Sequence, residues 1–223
     1  EDLATYLSKS NKVSVISPKP TRPDGFVFSK KDIYKSFVLK NLDSYTCSKS
    51  NLFGRLRESY SFGIACKNYI KKHKTDIDII YMNSWPIFAQ YITVKISNKY
   101  DIPIITHVQD VYPESLSVKM PFLGNLFIIV FKPFDKLILG KSKKIIAISE
   151  KMKKYLATSR QISLEKIKVV QNWQNEEAFI DYESIKKPHE KKLFTFMYMG
   201  NLGPVAGIEL LIESFCKADF KNC

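Results

Sequence analysis

The sequence contains few of the residues that bind structural metals or form disulfide frameworks. It has four cysteines and three histidines in 223 residues, without a Cys-x-x-Cys pair and with the histidines far apart. This spacing excludes the common structural zinc sites, and we expect no metal. Scattered cysteines are typical of a reducing cytoplasm, so we expect free thiols.

A long hydrophobic run is also missing. The longest apolar stretch without a charge covers residues 120–131, which is shorter than the roughly 18 residues that a membrane-spanning helix needs. The sequence begins at Glu1 without a basic and apolar leader. We therefore expect a cytoplasmic chain. A peripheral position at the inner face of the plasma membrane is compatible with this expectation.

Acidic residues are outnumbered, with 22 Asp and Glu against 35 Lys and Arg and a net charge of +13. The lysines are spread through every segment, and no arginine-rich stripe or nucleic-acid-binding motif occurs, so nucleic acid is not an expected partner. Two explanations of the charge remain. One is a solvated lysine surface, and the other is attraction to anionic lipid headgroups, where each basic residue contributes on the order of 1 kcal/mol.

One apolar segment, residues 122–139, is flanked by lysines. An apolar helical segment with a basic rim is what a peripheral contact with an anionic membrane needs. The alternative is a pair of core helices broken at Pro133, since apolar helical stripes commonly face a core.

Short β-branched runs alternate with longer helical patterns along the chain. Strands are predicted at residues 12–16, 78–82, 103–108, 144–148, 167–170 and 194–199, and helices at residues 52–73, 87–99 and 149–158. Ser149 is placed to cap the last of these helices. The alternation predicts βαβ units and an α/β fold with a Rossmann-like parallel sheet.

The polar stretch at residues 172–192 shows no sustained periodicity and is predicted to be an interdomain linker. It separates an N-terminal domain, residues 1–171, from the beginning of a C-terminal domain, residues 193–223. We expect the first strand of the N-terminal domain to be missing and the C-terminal domain to be truncated.

The segment after the third predicted strand, residues 107–115, is the first candidate site. His107, Asp110 and Glu114 lie close together at a strand's carboxyl end, where ligands bind in open parallel sheets. Such side chains could hydrogen-bond sugar hydroxyls or supply a base. The alternative is that the two acids cap the next helix while His107 packs at the strand end.

The second candidate is a glycine-rich turn before the last helical pattern, with Gly200, Asn201, Gly203 and Gly207. Glycines let the backbone approach a diphosphate, and a helix N-terminus supplies free N–H groups. The spacing is neither that of a dinucleotide fingerprint nor that of a P-loop. A connection without a ligand is the alternative.

With these segments placed, the chain resembles the family 4 glycosyltransferases of GT-B fold, especially the branch that builds bacterial capsule and O-antigen polysaccharides. The resemblance rests on five segments in order, at residues 13–16, 108–115, 146–150, 169–173 and 198–203, which read VSVI, VQDVYPES, IAISE, VVQNW and YMGNLG.

The resemblance implies two Rossmann-like domains, of which the N-terminal one binds the acceptor and the C-terminal one binds a nucleotide-sugar donor. It implies a retaining transfer without a metal or other cofactor. The acceptor in this branch is a saccharide on a lipid carrier, used in cell-surface polysaccharide synthesis.

The resemblance also assigns roles to residues. His107 and Asp110 would face the acceptor, and Glu114 completes this catalytic group by supporting the loop. The acceptor cleft would include further polar residues: Asn83, Ser149, Glu150 and Asn172. The donor diphosphate would lie against Gly200, Asn201, Gly203 and Gly207.

The sequence departs from the family pattern on the donor side. Asn201 and Ala206 stand where many members have an arginine and a lysine, and the acidic region that contacts the donor sugar is missing. We expect these 223 residues to be inactive on their own. The alternative function is a non-catalytic module that binds an anionic membrane or an assembly partner.

Overall fold

The computed structural model describes residues 2–19, 36–47, 51–84, 86–117, 123–173, 176, 179–182, 196–200 and 206–218. The described elements, in chain order, are α1 (Asp2–Leu7), β1 (Ser14–Pro18), β2 (Val38–Leu42), α2 (Leu52–His73), β3 (Ile80–Asn83), α3 (Ile87–Lys99), β4 (Ile104–Val108), α4 (Glu114–Ser117), α5 (Gly124–Lys141), β5 (Lys144–Ala147), α6 (Glu150–Arg160), β6 (Ile167–Val169) and α7 (Ile208–Lys217). The chain divides into two compact units, Glu1–Asn172 and Trp173–Cys223.

The strands of the first unit form two parallel sheets. β1 pairs with β2, and a four-stranded sheet has the order β3-β4-β5-β6. In the larger sheet each strand lies beside the next one in the sequence, and a helical connection joins each neighbouring pair. The expected α/β class with Rossmann-like parallel pairing is therefore confirmed.

Local sequence patterns located most of the elements. The helices predicted at residues 52–73 and 87–99 match α2 and α3, and Ser149 caps α6 by accepting a hydrogen bond from the N–H of Met152 at 3.1 Å. The strand predicted at residues 194–199 is wrong over its described part, since residues 196–199 lie in neither a helix nor a strand. A strand needs a hydrogen-bonded neighbour, and no described strand pairs with these residues.

The apolar segment before β5 corrects another expectation. It forms one helix, α5, that continues through Pro133, and not two helices broken there. Proline removes a helical hydrogen bond, which here leaves the carbonyl of Ile129 without its donor. Pro133 and Ile129 both lie on the exposed side of the helix, where water can solvate that carbonyl.

The core lies between the larger sheet and the helices that connect its strands. One buried cluster joins α3, β4 and α5 through Ile87, Ile104 and Phe131, and a second joins the sheet to α6 through Leu156. α2 packs closely on α3 at Gly63, where a Cβ atom would lie 2.9 Å from the Cα of Ala89. A larger residue at this position would separate the two helices.

No helix in the described part of the chain is both long and apolar enough to cross a bilayer. In the second unit, residues 179–182 form a helical turn, and Phe196 contacts Phe215 of α7 with 5.2 Å between ring centroids.

Candidate active site

The carboxyl ends of the four parallel strands lie side by side. Asn83 is the register partner of His107, and Val108 is the partner of Ala147. The polar residues that follow these strands therefore lie along one edge of the sheet, which we call the strand-end site. They are His107 near the end of β4 and Asp110 after it, Ser149 and Glu150 after β5, Asn172 after β6, and Asn83 at the end of β3. Side chains that are distant in the sequence are thus brought to the same edge.

Ser84 connects β3 and β4 at this edge. Its backbone N–H donates to the carbonyl of His107 at 2.9 Å, and its hydroxyl oxygen accepts from the N–H of Gln109 at 3.0 Å. The buried Gln90 donates to the carbonyl of Asn83. Sequence reasoning missed Ser84 and Gln90, because hydrogen bonds between residues on different elements leave no local pattern.

His107 is the most deeply buried of the proposed reacting groups, with 3% of its surface exposed. Its Nδ1 lies 2.5 Å from the hydroxyl of Tyr81 on the neighbouring strand. Its Nε2 is buried and has no hydrogen-bond partner among the described residues. Burial lowers the pKa of His107 below the ordinary 6.5, so the imidazole is neutral at pH 7.

Asp110 lies three residues after His107, in the bend that follows β4, and its side chain is exposed. An exposed carboxylate at this edge can accept hydrogen bonds from a hydroxyl-rich ligand. The bend is held at its beginning by the hydrogen bond between Gln109 and Ser84. The backbone that carries Asp110 is therefore positioned by β3 as well as by its own strand.

Glu114 is placed differently, because both of its carboxylate oxygens are bound. Arg160, which has no exposed surface, donates to each of these oxygens at 2.7 Å and to the carbonyl of Tyr112 at 2.9 Å. The same guanidinium donates to Asp135 of α5 at 2.6 Å, and the hydroxyl of Tyr155 donates to Glu114 at 3.0 Å. We call these five residues the Arg160 network, which fixes the far end of the loop that carries Asp110.

The charges in the Arg160 network depend on one another. Burial opposes ionisation of Glu114, but hydrogen bonds from Arg160 outweigh it and keep the pKa of Glu114 below its ordinary value. Burial raises the pKa of Asp135 to about 6 despite the facing guanidinium. Burial also opposes the charge on Arg160, but the two carboxylates raise its pKa. Glu114 is therefore a bound carboxylate that holds the loop, without a free oxygen for proton transfer.

The remaining predicted residues are placed as follows. Ser149 uses its hydroxyl to cap α6, while Glu150 and Asn172 are exposed. Gly207 has a left-handed backbone with φ of 64° at the start of α7, a conformation that favours glycine. Gly200 lies in a bend, whereas Asn201 and Gly203 lie outside the described residues.

Across the described ranges, no group of three or more His, Cys, Asp or Glu side chains is arranged to hold a metal ion.

Three comparisons with known proteins add to this geometry. A protein-family profile described as "Glycosyltransferase Family 4" matches residues 1–177. A search of curated proteins found no match. Among solved structures, the chain is similar to a glycosyltransferase from Rickettsia africae ESF-5, with 20% identity and a TM-score of 0.48. That match covers 98% of this chain, which spans 45% of the length of the solved protein.

Proposed function

Because the chain belongs to Glycosyltransferase Family 4, we propose that it supplies the acceptor-binding part of an enzyme that transfers a sugar from a nucleotide-sugar donor. The acceptor is a saccharide on a lipid carrier, and the product is a cell-surface polysaccharide of the capsule or O-antigen type. The transfer retains the configuration of the donor sugar and needs no metal ion. A second domain completes the donor site in a GT-B arrangement.

The observation that supports this proposal most is the strand-end site. In open parallel sheets, ligands bind outside the carboxyl ends of the strands. At that edge His107 carries a neutral imidazole whose buried Nε2 has no partner among the described residues, and Asp110 presents an exposed carboxylate. This pair suits a saccharide acceptor, because one group can exchange a proton with an attacking hydroxyl while the other accepts hydrogen bonds or faces positive charge.

The donor side of the proposal rests on the turn before α7. α7 begins after Gly207, which is in a left-handed conformation, and the N–H groups at such a helix start are able to bind a phosphate. Ala206 provides no cation there. We propose that backbone amides and a cation from another part of the full-length protein neutralise the diphosphate.

The experiment that tests the proposal measures sugar transfer by the full-length protein. Radiolabelled UDP-, GDP- and dTDP-sugars are incubated with extracted lipid-linked saccharides in the presence of EDTA, and the label in the lipid fraction is counted. Transfer from one donor that persists in EDTA is the expected result. Hydrolysis of every donor without transfer, or a strict need for a divalent cation, would contradict the proposal.

A second candidate function, docking on an anionic membrane, is favoured by the outer face of α5. Five apolar side chains of this helix and its N-cap are exposed, and we call them the outer α5 face: Leu123, Leu126, Ile129, Val130 and Leu137. Lys136 and Lys141 are exposed on the same helix, and Lys143 and Lys144 follow it. The single acidic residue between positions 123 and 149 is Asp135, which is bound to Arg160.

We expect this face to bind vesicles that contain phosphatidylglycerol. Replacing Ile129 and Val130 together by serine should weaken vesicle binding roughly tenfold or more, because each apolar side chain loses burial in the lipid interface. Raising the salt concentration should also release the protein, because the lysine contribution is screened. Co-sedimentation with vesicles across a salt series measures both effects.

Phe53→Ser is the matched control, since Phe53 is an 84% exposed apolar residue on α2. This control should bind vesicles as the unchanged protein does. No binding to phosphatidylglycerol vesicles at low salt would exclude membrane docking, and equal binding to pure phosphatidylcholine would exclude its electrostatic part. Sugar transfer and vesicle binding are separate measurements, so each candidate function can fail without the other.

A further inference from the structure

The loop after β2 and helix α2 form a second concave surface, whose lining residues differ from those of the strand-end site. The loop crosses α2, where the N–H of Tyr45 donates to the hydroxyl of Ser61 at 2.8 Å. The guanidinium of Arg57 lies over the ring of Tyr45 at 4.1 Å from its centroid. The first contact ties the backbone of Tyr45 to α2, and the second stacks its ring against Arg57 of the same helix.

The loop and α2 enclose an open pocket of about 420 Å³, which we call the Tyr45 pocket. Its volume falls in the range of small-molecule sites, roughly 300–1,000 Å³. The half-buried Ile64 and Ala65 contribute apolar surface, and Tyr60 lines the pocket with 56% of its surface exposed. The lining therefore combines two tyrosine rings with an aliphatic patch.

Polar groups of several kinds line the same pocket. They belong to Asp43, Arg57 and Asn68, all of them exposed. Lys19 forms an ion pair with Asp43 at 2.5 Å, and this hydrogen bond lowers the pKa of the carboxyl, which is therefore charged at neutral pH. The pocket thus offers a carboxylate acceptor, an amide with both donors and acceptors, and a guanidinium donor.

This combination matches the surface of a pyranose ring. A pyranose has a C–H face that packs against an aromatic ring and an edge of hydroxyls that donate and accept hydrogen bonds. A simple anion would use the guanidinium but would meet the carboxylate of Asp43 in the same pocket. An apolar ligand would cover the exposed amide of Asn68 without replacing its hydrogen bonds to water, which costs binding energy.

We propose that the Tyr45 pocket is an accessory saccharide-binding site. None of its lining residues belongs to the strand-end site. Its occupant needs neither a nucleotide nor a transfer step, so the inference stands or fails separately from the proposed function. A pocket of this kind would hold a sugar unit while the strand-end site is empty.

Saturation-transfer NMR on the unchanged chain tests the proposal without a donor. The probes are the methyl glycosides of glucose, galactose, mannose, rhamnose and N-acetylglucosamine, with inorganic phosphate as a competitor. Saturation should pass to the ring protons of at least one glycoside and persist with phosphate present. Tyr60→Ala should raise the dissociation constant of that glycoside roughly fivefold or more, because the stacking surface is lost.

Tyr6→Ala is the matched control, because Tyr6 is an exposed tyrosine on α1 with a cation, Lys9, over its ring. This control should leave the dissociation constant unchanged, and so should His107→Ala. The proposal is overturned by an absence of saturation transfer to all five glycosides or by displacement with phosphate. It is also overturned if His107→Ala abolishes binding while Tyr60→Ala preserves it, since the sugar would then occupy the strand-end site.

Discussion

Replacing Arg160 by methionine should lower the free energy of unfolding by about 3–5 kcal/mol, because removing one partner of a buried ion pair leaves the other partner's charge uncompensated. Here the change would leave two carboxylates, those of Glu114 and Asp135, without their common cation. A loss of this size is a large part of the roughly 5–15 kcal/mol that stabilises a typical protein. Urea unfolding followed by circular dichroism measures it.

Lys154→Met is the matched control, because Lys154 is an exposed cation on the same helix as Arg160. Its effect should stay within about 0.5 kcal/mol, as for most surface changes. A loss below 1 kcal/mol for Arg160→Met would contradict the prediction. A third variant, Arg160→Met with Glu114→Leu and Asp135→Leu, should recover much of the stability, because replacing all the charges of a buried network by apolar groups is commonly neutral.

The second large effect concerns sugar transfer by the full-length protein. His107→Ala and Asp110→Asn should each lower kcat roughly 10²–10⁴-fold, the range that a positioned acid or base contributes. His107→Ala removes the buried imidazole, and Asp110→Asn removes the exposed carboxylate while keeping its shape. Transfer from the donor found active with the unchanged protein is the measurement.

Two changes away from the strand ends serve as controls. His73→Ala alters a half-buried histidine at the end of α2, and Asp78→Asn alters an exposed aspartate before β3, near the opposite end of its strand. Both should retain normal transfer. If His107→Ala and Asp110→Asn also transferred sugar at the normal rate, neither residue would take part in the mechanism.

The pH dependence of transfer provides an independent measurement. Burial lowers the pKa of His107 from the ordinary 6.5. The neutral imidazole is therefore the main form at pH 6.5, and half of the imidazole is protonated only at a lower pH. If transfer needs neutral His107, kcat/KM should fall as the pH is lowered, with a midpoint below pH 6.5. A midpoint above pH 6.5 would assign the titration to another group.

Much of the fold could be predicted because its signals are local. The periodicity of α2 and α3 and the Ser149 cap of α6 are written in adjacent residues. β2 was missed, because Val38–Leu42 contains a lysine and an asparagine and one β-branched residue. It becomes a strand by pairing with β1, a contact made across more than twenty residues of sequence.

The candidate site was predictable only in part. Ligands bind at the carboxyl ends of parallel strands, and this rule places Asp110 and Asn83 at one edge of the sheet. The register of β3 and β4 agrees, because Asn83 lies beside His107. The partner of Glu114 could not be predicted, since Arg160 lies 46 residues later and nothing in either segment indicates the pairing. A buried arginine at the end of a helix looks, in sequence, like any basic residue in a last turn.

The consecutive strand order of the larger sheet has a consequence for synthesis on the ribosome. β4 can pair with β3 as soon as it emerges, and β5 and β6 can be added in turn, because each new strand finds its preceding neighbour already made. The bonds from Arg160 to Glu114 close only after α6 has left the exit tunnel. The nascent chain thus builds its sheet stepwise, and the loop that carries Asp110 is fixed near the end of this folding process.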